Sequence, residues 1–155
     1  MPETKKHVIL TAGHNLISKV RNPKEDLTVF IENGDPISVP NSDIFICDSY
    51  NDLPGSNNEA NDWGMILVPK TEDEPALGFG FSLLFATGRS SSFDEMDLMI
   101  GGYREGSTGS LVLTSGKSRE VHEEQLKYNI LTEQGLSGST IFMAHNGVET
   151  VIGIQ

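Results

Sequence analysis

Three short segments of the chain carry the side chains that acyl transfer requires. Leu10-Thr11-Ala12-Gly13-His14 places a histidine directly after an apolar run and a glycine. Asn61-Asp62-Trp63-Gly64-Met65-Ile66-Leu67 places an aspartate at the entry of another apolar run. Gln134-Gly135-Leu136-Ser137-Gly138-Ser139-Thr140 places a serine between glycines, with β-type sequence on both sides. A serine hydroxyl is a poor nucleophile near neutral pH and needs a base to take its proton. Histidine titrates in the right range, and a carboxylate against its ring fixes the tautomer and stabilises the imidazolium. Glycines beside the serine let backbone N–H groups turn toward a developing oxyanion. Taken singly each feature is ordinary: lone histidines are mostly structural, a serine between glycines is mostly a turn. Together they make His14, Asp62 and Ser137 a candidate catalytic set.

The elements that must position these residues are short β-type runs bounded by turn chemistry, with little helical periodicity. His7 to Thr11, Leu27 to Ile31, Ile44 to Ile46, Gly64 to Val68 and Gly80 to Phe85 are such runs. Asp97 to Ile100, Ser110 to Thr114, Gln125 to Ile130, Thr140 to Met143 and Val151 to Ile154 follow. Asn33-Gly34-Asp35-Pro36 and Asn146-Gly147 are hairpin signals. The one helical stretch is Asn15 to Val20, and it is short. Loops are expected over Asp48 to Asn61 and Thr87 to Glu95, with a crossover between two halves at Thr71 to Pro75. Many short strands at this spacing predict an all-β barrel or sandwich. The triad order His, Asp, Ser differs from that of subtilisins and α/β-hydrolases. Position 139 is Ser where a nucleophile elbow needs Gly, and no strand–helix context surrounds it.

Composition removes several alternatives. The chain has 155 residues, enough for one domain or two small barrels. Its 22 acidic against 11 basic residues give a net charge of −11, which argues against nucleic acid or an anionic membrane as partner. Apolar stretches such as Met65-Ile66-Leu67-Val68 are far too short to span a bilayer. Met1 to His7 lacks the apolar core of a signal peptide. The single cysteine, Cys47, excludes an intrachain disulfide and reads as a small buried hydrophobe. His122-Glu123-Glu124-Gln125-Leu126 opens like a zincin helix, but Leu126 stands where the second histidine must be. Gly78-Phe79-Gly80-Phe81-Ser82-Leu83 lacks the third glycine of a dinucleotide fingerprint, and no acidic segment has calcium-loop spacing. His7 and His145 read as surface residues. No metal and no cofactor is expected.

At these same segments the sequence resembles the disulfide-free, glutamyl-endopeptidase-like branch of the chymotrypsin-fold serine proteases. Thr11-Ala12-Gly13-His14 matches the family's Thr-Ala-(Ala/Gly)-His, and Asn61-Asp62-Trp63-Gly64 its aspartate-bearing strand. Tyr128-Asn129-Ile130-Leu131-Thr132 with Gly135-Leu136-Ser137-Gly138-Ser139 matches its strand and nucleophile loop. Ile100-Gly101-Gly102-Tyr103 and Val151-Ile152-Gly153-Ile154 are supporting matches. The resemblance implies two antiparallel six-stranded Greek-key barrels, the first over residues 1–74 and the second over 75–155. It implies His14 as general base, Asp62 as its orienter and Ser137 as nucleophile. It further implies the backbone N–H groups of Gly135 and Ser137 as oxyanion hole, with Thr132 and Gln155 at the substrate pocket. A monomeric endopeptidase acting on peptides or proteins without a cofactor follows; the family is usually secreted. Three positions depart from the pattern. Leu136 replaces an Asp or Asn, and Thr140 replaces a common proline. Gln155 stands where glutamate-specific members carry histidine; it offers a hydrogen bond but no charge.

The resemblance also implies strands missing at both chain ends. It places two strands before the histidine-bearing one, whereas thirteen residues precede His14. The family continues past the position of Gln155 with a substrate-pairing segment and a closing strand. The chain is therefore expected to be a fragment of a longer protein, with weak or no turnover by itself. The alternative reading is a catalytically impaired protease-fold fragment or a binding pseudoenzyme.

Overall fold

A computed structural model describes residues 6–21, 27–30, 35–50, 59–70, 80–81, 95–105, 110–122 and 125–155. The chain divides into two compact units, Met1–Leu77 and Gly78–Gln155.

The first unit runs β1 (Lys6–Thr11), α1 (His14–Arg21), β2 (Leu27–Val29), β3 (Ile37–Val39), β4 (Ile44–Ile46) and β5 (Gly64–Pro69). Single 3-10 turns at Asn41–Asp43 and Glu59–Asn61 lead into β4 and β5. Strand β5 is central, flanked by antiparallel β1 and β4, while β2 and β3 form a separate hairpin. Side chains alternate across a strand, and directly paired residues share a face. Ile9 and Ile44 both pair with Ile66, so the three lie on one side. That side is the core: Leu16 of α1, Val39, Ile44, Ile66 and Val68 are buried together. Burying each such side chain stabilises the unit by about 1.5–3 kcal/mol. Gly64 lets α1 settle on the sheet. A Cβ there would stand 2.7 Å from Leu16 Cδ1 and 2.9 Å from the Phe45 carbonyl oxygen.

The second unit contains β6 (Gly80–Phe81), β7 (Asp97–Tyr103), β8 (Leu111–Val121), β9 (Leu126–Asn129), β10 (Thr140–His145) and β11 (Val148–Ile154). They form one sheet in the order β6-β11-β10-β7-β8-β9. Pairing is antiparallel throughout, except for the short parallel contact of β6 with β11. Leu98, Ile100, Ile130 and Ile141 are its buried centre, with Tyr128 and Ile152 among the residues packed against them. The Asn146-Gly147 turn joins β10 to β11 with positive φ at both residues, 52° and 76°, as a type I′ turn requires.

Among the described residues the chain is thus all-β apart from α1 and two 3-10 turns, and no sheet closes on itself. No helix among them is long and apolar enough to cross a membrane. Two features depart from the pattern of the sequence. Strand β3 is too short for its alternation to register. Strand β8 extends well beyond Thr114 through polar residues, because it pairs with β7 on one side and β9 on the other. Ser118 in that extension is fully buried, and its Oγ accepts the Met96 N–H at 2.8 Å. The Asn33-Gly34 turn, the loop over 51–58, the division at Thr71 to Pro75, Gly78-Phe79 and the run over 82–85 lie outside the described residues. So does most of the loop from Thr87 to Glu95.

Candidate active site

The first unit brings His14 and Asp62 together. In the β1–β5 pairing Thr11 lies opposite Gly64, so the chain leaving β1 and the chain entering β5 meet at one end of the sheet. After β1 the backbone turns at once into α1, with the Leu16 and Ile17 N–H groups donating to the Gly13 carbonyl at 2.9 and 3.0 Å. His14 is the first residue of that helix. On the other side, the 3-10 turn sets Asp62, whose N–H donates to the Glu59 carbonyl at 3.1 Å. The Cys47 N–H donates to the Trp63 carbonyl at 3.1 Å, tying the exit of β4 to the entry of β5. Cys47 itself is half-buried with its Sγ 3.7 Å from Asn61 Oδ1, so its polar neighbour accounts for its not being a core hydrophobe.

Asp62 grips His14 at two points. Its Oδ1 accepts the His14 backbone N–H at 2.7 Å, and its Oδ2 lies 2.6 Å from His14 Nδ1. A carboxylate only accepts, so the Nδ1 partner at that distance carries the proton. In the neutral ring this leaves Nε2 with the lone pair, the form a general base must have. The backbone bond also places a negative charge at the first turn of α1, where the free N–H groups favour it.

The second unit shapes the loop that carries Ser137. Between β9 and β10 the Leu136 N–H donates to the Glu133 carbonyl at 3.2 Å, and the Ser139 N–H to the Leu136 carbonyl at 2.9 Å. Gly135 and Gly138 have φ of 98° and 85°, a region closed to most side chains. At Gly135 there is a second constraint, since a Cβ would collide with the Glu105 backbone nitrogen. Within this double turn Leu136 is 1% exposed, whereas Ser137 points outward. Gln155 is held beside the loop by two backbone bonds. Its carbonyl accepts the Gly138 N–H at 2.7 Å and its N–H donates to the Ser139 carbonyl at 2.9 Å. Thr132 is exposed in the approach to the loop.

Several contributors were not visible in the sequence. Leu136, noted there only as a departure, proves to be the apolar anchor of the serine loop. Arg104 binds Glu133 in two-pronged fashion, Nε to Oε2 at 2.6 Å and Nη2 to Oε1 at 2.8 Å. Beside it the Glu105 N–H donates to the Gln134 carbonyl at 3.0 Å, so the exit of β7 clamps the base of the loop. Tyr128 hydrogen-bonds Gln155 through its hydroxyl, and burial pushes its ionisation above the ordinary value near 10. No local pattern announces these pairs, which join residues distant in the chain.

The remaining histidines are placed elsewhere. His122 lies at the turn from β8 to β9, where Glu120 receives Lys127 at 2.8 Å and His122 at 3.3 Å. Those two hydrogen bonds, Lys127 first, hold the Glu120 carboxyl below its ordinary range. His145 is exposed at the β10–β11 turn and His7 is half-buried on β1. Among the described residues no cluster of His, Cys, Asp or Glu has the arrangement of a metal site. No family model matches the chain, and no curated protein matches it.

Proposed function

We propose that the chain is a serine endopeptidase of the chymotrypsin type, with His14, Asp62 and Ser137 acting as one catalytic set and its two units as the two barrels of that fold. The observation that carries this reading is the two-point hold of Asp62 on His14, which commits the imidazole to one tautomer. In the proposed reaction the Ser137 hydroxyl adds to a peptide carbonyl while His14 Nε2 takes its proton. The charge on the carbonyl oxygen is received by the backbone N–H groups of Gly135 and Ser137. Collapse of the adduct breaks the C–N bond, and the imidazolium returns its proton to the leaving amine. Water, deprotonated by His14, then releases the acyl group and regenerates the hydroxyl. Asp62 stabilises the imidazolium in each half.

A fluorophosphonate without a recognition side chain tests the proposal, because it reports serine activation without needing a complete substrate cleft. The expected result is covalent modification of Ser137 that disappears in both Ser137→Ala and His14→Ala. Folded chain that takes no label, or label that survives His14→Ala, overturns the endopeptidase reading in favour of a binding role for the same fold.

A further inference from the structure

We infer that Tyr128 and Gln155 form a side-chain subsite next to Ser137 that accepts an uncharged carboxamide, the side chain of glutamine or asparagine, in preference to a carboxylate or a cation. The inference rests on the endopeptidase reading and adds the chemical class of residue whose carbonyl is attacked. Gln155 follows β11 and is locked in register with Gly138 and Ser139, the two residues after the proposed nucleophile. Its side chain is met by Tyr128 of β9, whose hydroxyl donates to Gln155 Oε1. Both side chains are partly buried, so groups arriving there exchange water for protein partners.

The hydrogen-bonding inventory of the pair sets the preference. With the tyrosine proton given to Oε1, the Gln155 amide retains two N–H donors and the Tyr128 oxygen retains acceptor capacity. If the amide is turned over instead, Nε2 donates to the phenol, which then offers its O–H while Oε1 accepts. Either arrangement presents a donor beside an acceptor. A carboxamide matches both at once, whereas a carboxylate meets the acceptor with a lone pair and an ammonium meets the donor with a proton.

Charge argues the same way. A buried carboxylate ligand needs a cation to offset its desolvation. Every Lys and Arg among the described residues of this unit is already paired with a carboxylate: Arg104 with Glu133, Lys117 with Asp97, Arg119 with Glu95 and Lys127 with Glu120. Among these described residues none is left to receive an acidic side chain.

The test uses the full chain and a matched set of peptidyl phosphonates that differ only in the side chain presented to this subsite: glutamine, glutamate, leucine and lysine. The second-order rate of Ser137 modification is expected to be at least tenfold higher for glutamine than for any of the others. Tyr128→Phe and Gln155→Leu are each expected to lower the glutamine-to-leucine ratio about tenfold, and Gln155→Lys to move the preference toward glutamate. A purely structural defect slows all four probes together and leaves the ratios unchanged. Equal rates in the unaltered chain, or a glutamine preference that all three variants keep, overturn the subsite while leaving the endopeptidase reading intact. Failure of the side-chain-free fluorophosphonate to label Ser137 overturns both.

Discussion

Replacing Asp62 by asparagine separates the electrostatic role of this residue from its shape. The amide oxygen still accepts the His14 backbone N–H, which now lies 2.7 Å from Oδ1. The other limb, however, becomes an NH2 group facing Nδ1, where Oδ2 now stands at 2.6 Å. Two donors cannot share that contact, so the imidazole proton moves to Nε2 and the base loses its lone pair on the reacting side. The loss of stability is modest. A hydrogen bond to a charged group contributes about 1.5–3 kcal/mol when sheltered. Here the side chains are 41% and 25% exposed, and solvent screening reduces that to about 1 kcal/mol. Loss of the negative charge at the start of α1 adds about 0.3–1 kcal/mol. The total expected from urea unfolding is therefore about 1–2 kcal/mol. If the three residues act as proposed, reactivity falls much further, since inverting the tautomer in a Ser-His-Asp triad costs about 10⁴ in kcat. Nitrogen-15 NMR of the His14 ring reads the tautomer directly, and fluorophosphonate labelling reads the reactivity. A ring that keeps its proton on Nδ1 in Asp62→Asn, or labelling within tenfold of the unaltered chain, refutes the assignment of Asp62 as orienter.

Leu136→Ala removes the apolar anchor of the serine loop and is expected to destabilise the second unit by about 2–5 kcal/mol, with slower labelling of Ser137; a change below about 1 kcal/mol in urea unfolding contradicts the anchoring role. Tyr128 gives a pH dependence with a definite sign. Its folded-state ionisation is raised by burial, so the folded chain keeps the phenol proton after the unfolded chain has lost it. Its contribution is complete below about pH 10 and is lost as pH rises through the raised folded value. Stability measured from pH 9 to 11 should thus fall more steeply for the unaltered chain than for Tyr128→Phe, and parallel profiles contradict the burial effect.

The parts of the site legible in the sequence are those made by neighbours in the chain. Gly13 before His14 and Asp62 before the β5 run are local signals, and the two residues meet because β1 and β5 pair. Both strands are continuous apolar runs in the sequence, but which strand pairs with which is seen only in the folded sheet. Glycines around Ser137 likewise forecast the positive φ found at Gly135 and Gly138. What alternation cannot reveal is a strand specified by its neighbours. The Ser115-to-Glu120 part of β8 has no apolar stripe, yet a buried Ser118 bonded to Met96 fixes its register. Nor can it reveal side-chain pairs such as Arg104–Glu133 and Tyr128–Gln155, which exist only once the sheet has brought separate strands together.

The fastening of the Ser137 loop gives the departure at position 136 a physical meaning. Leu136 lies 1% exposed, with its Cδ2 packed over Gly102; a Cβ at that glycine would collide with Ser139 Oγ and stand 2.9 Å from Ser139 Cβ and 3.0 Å from Leu136 Cδ2. The missing side chain at Gly102 thus makes room for Ser139 first and for the leucine beside it. Truncating Leu136 opens a cavity, whereas a side chain at Gly102 overlaps Ser139. The ionic tie of the loop among the described residues, Arg104–Glu133, is about half exposed and adds little energy. Loop shape is therefore set by apolar burial and backbone bonds, neither of which titrates near neutrality.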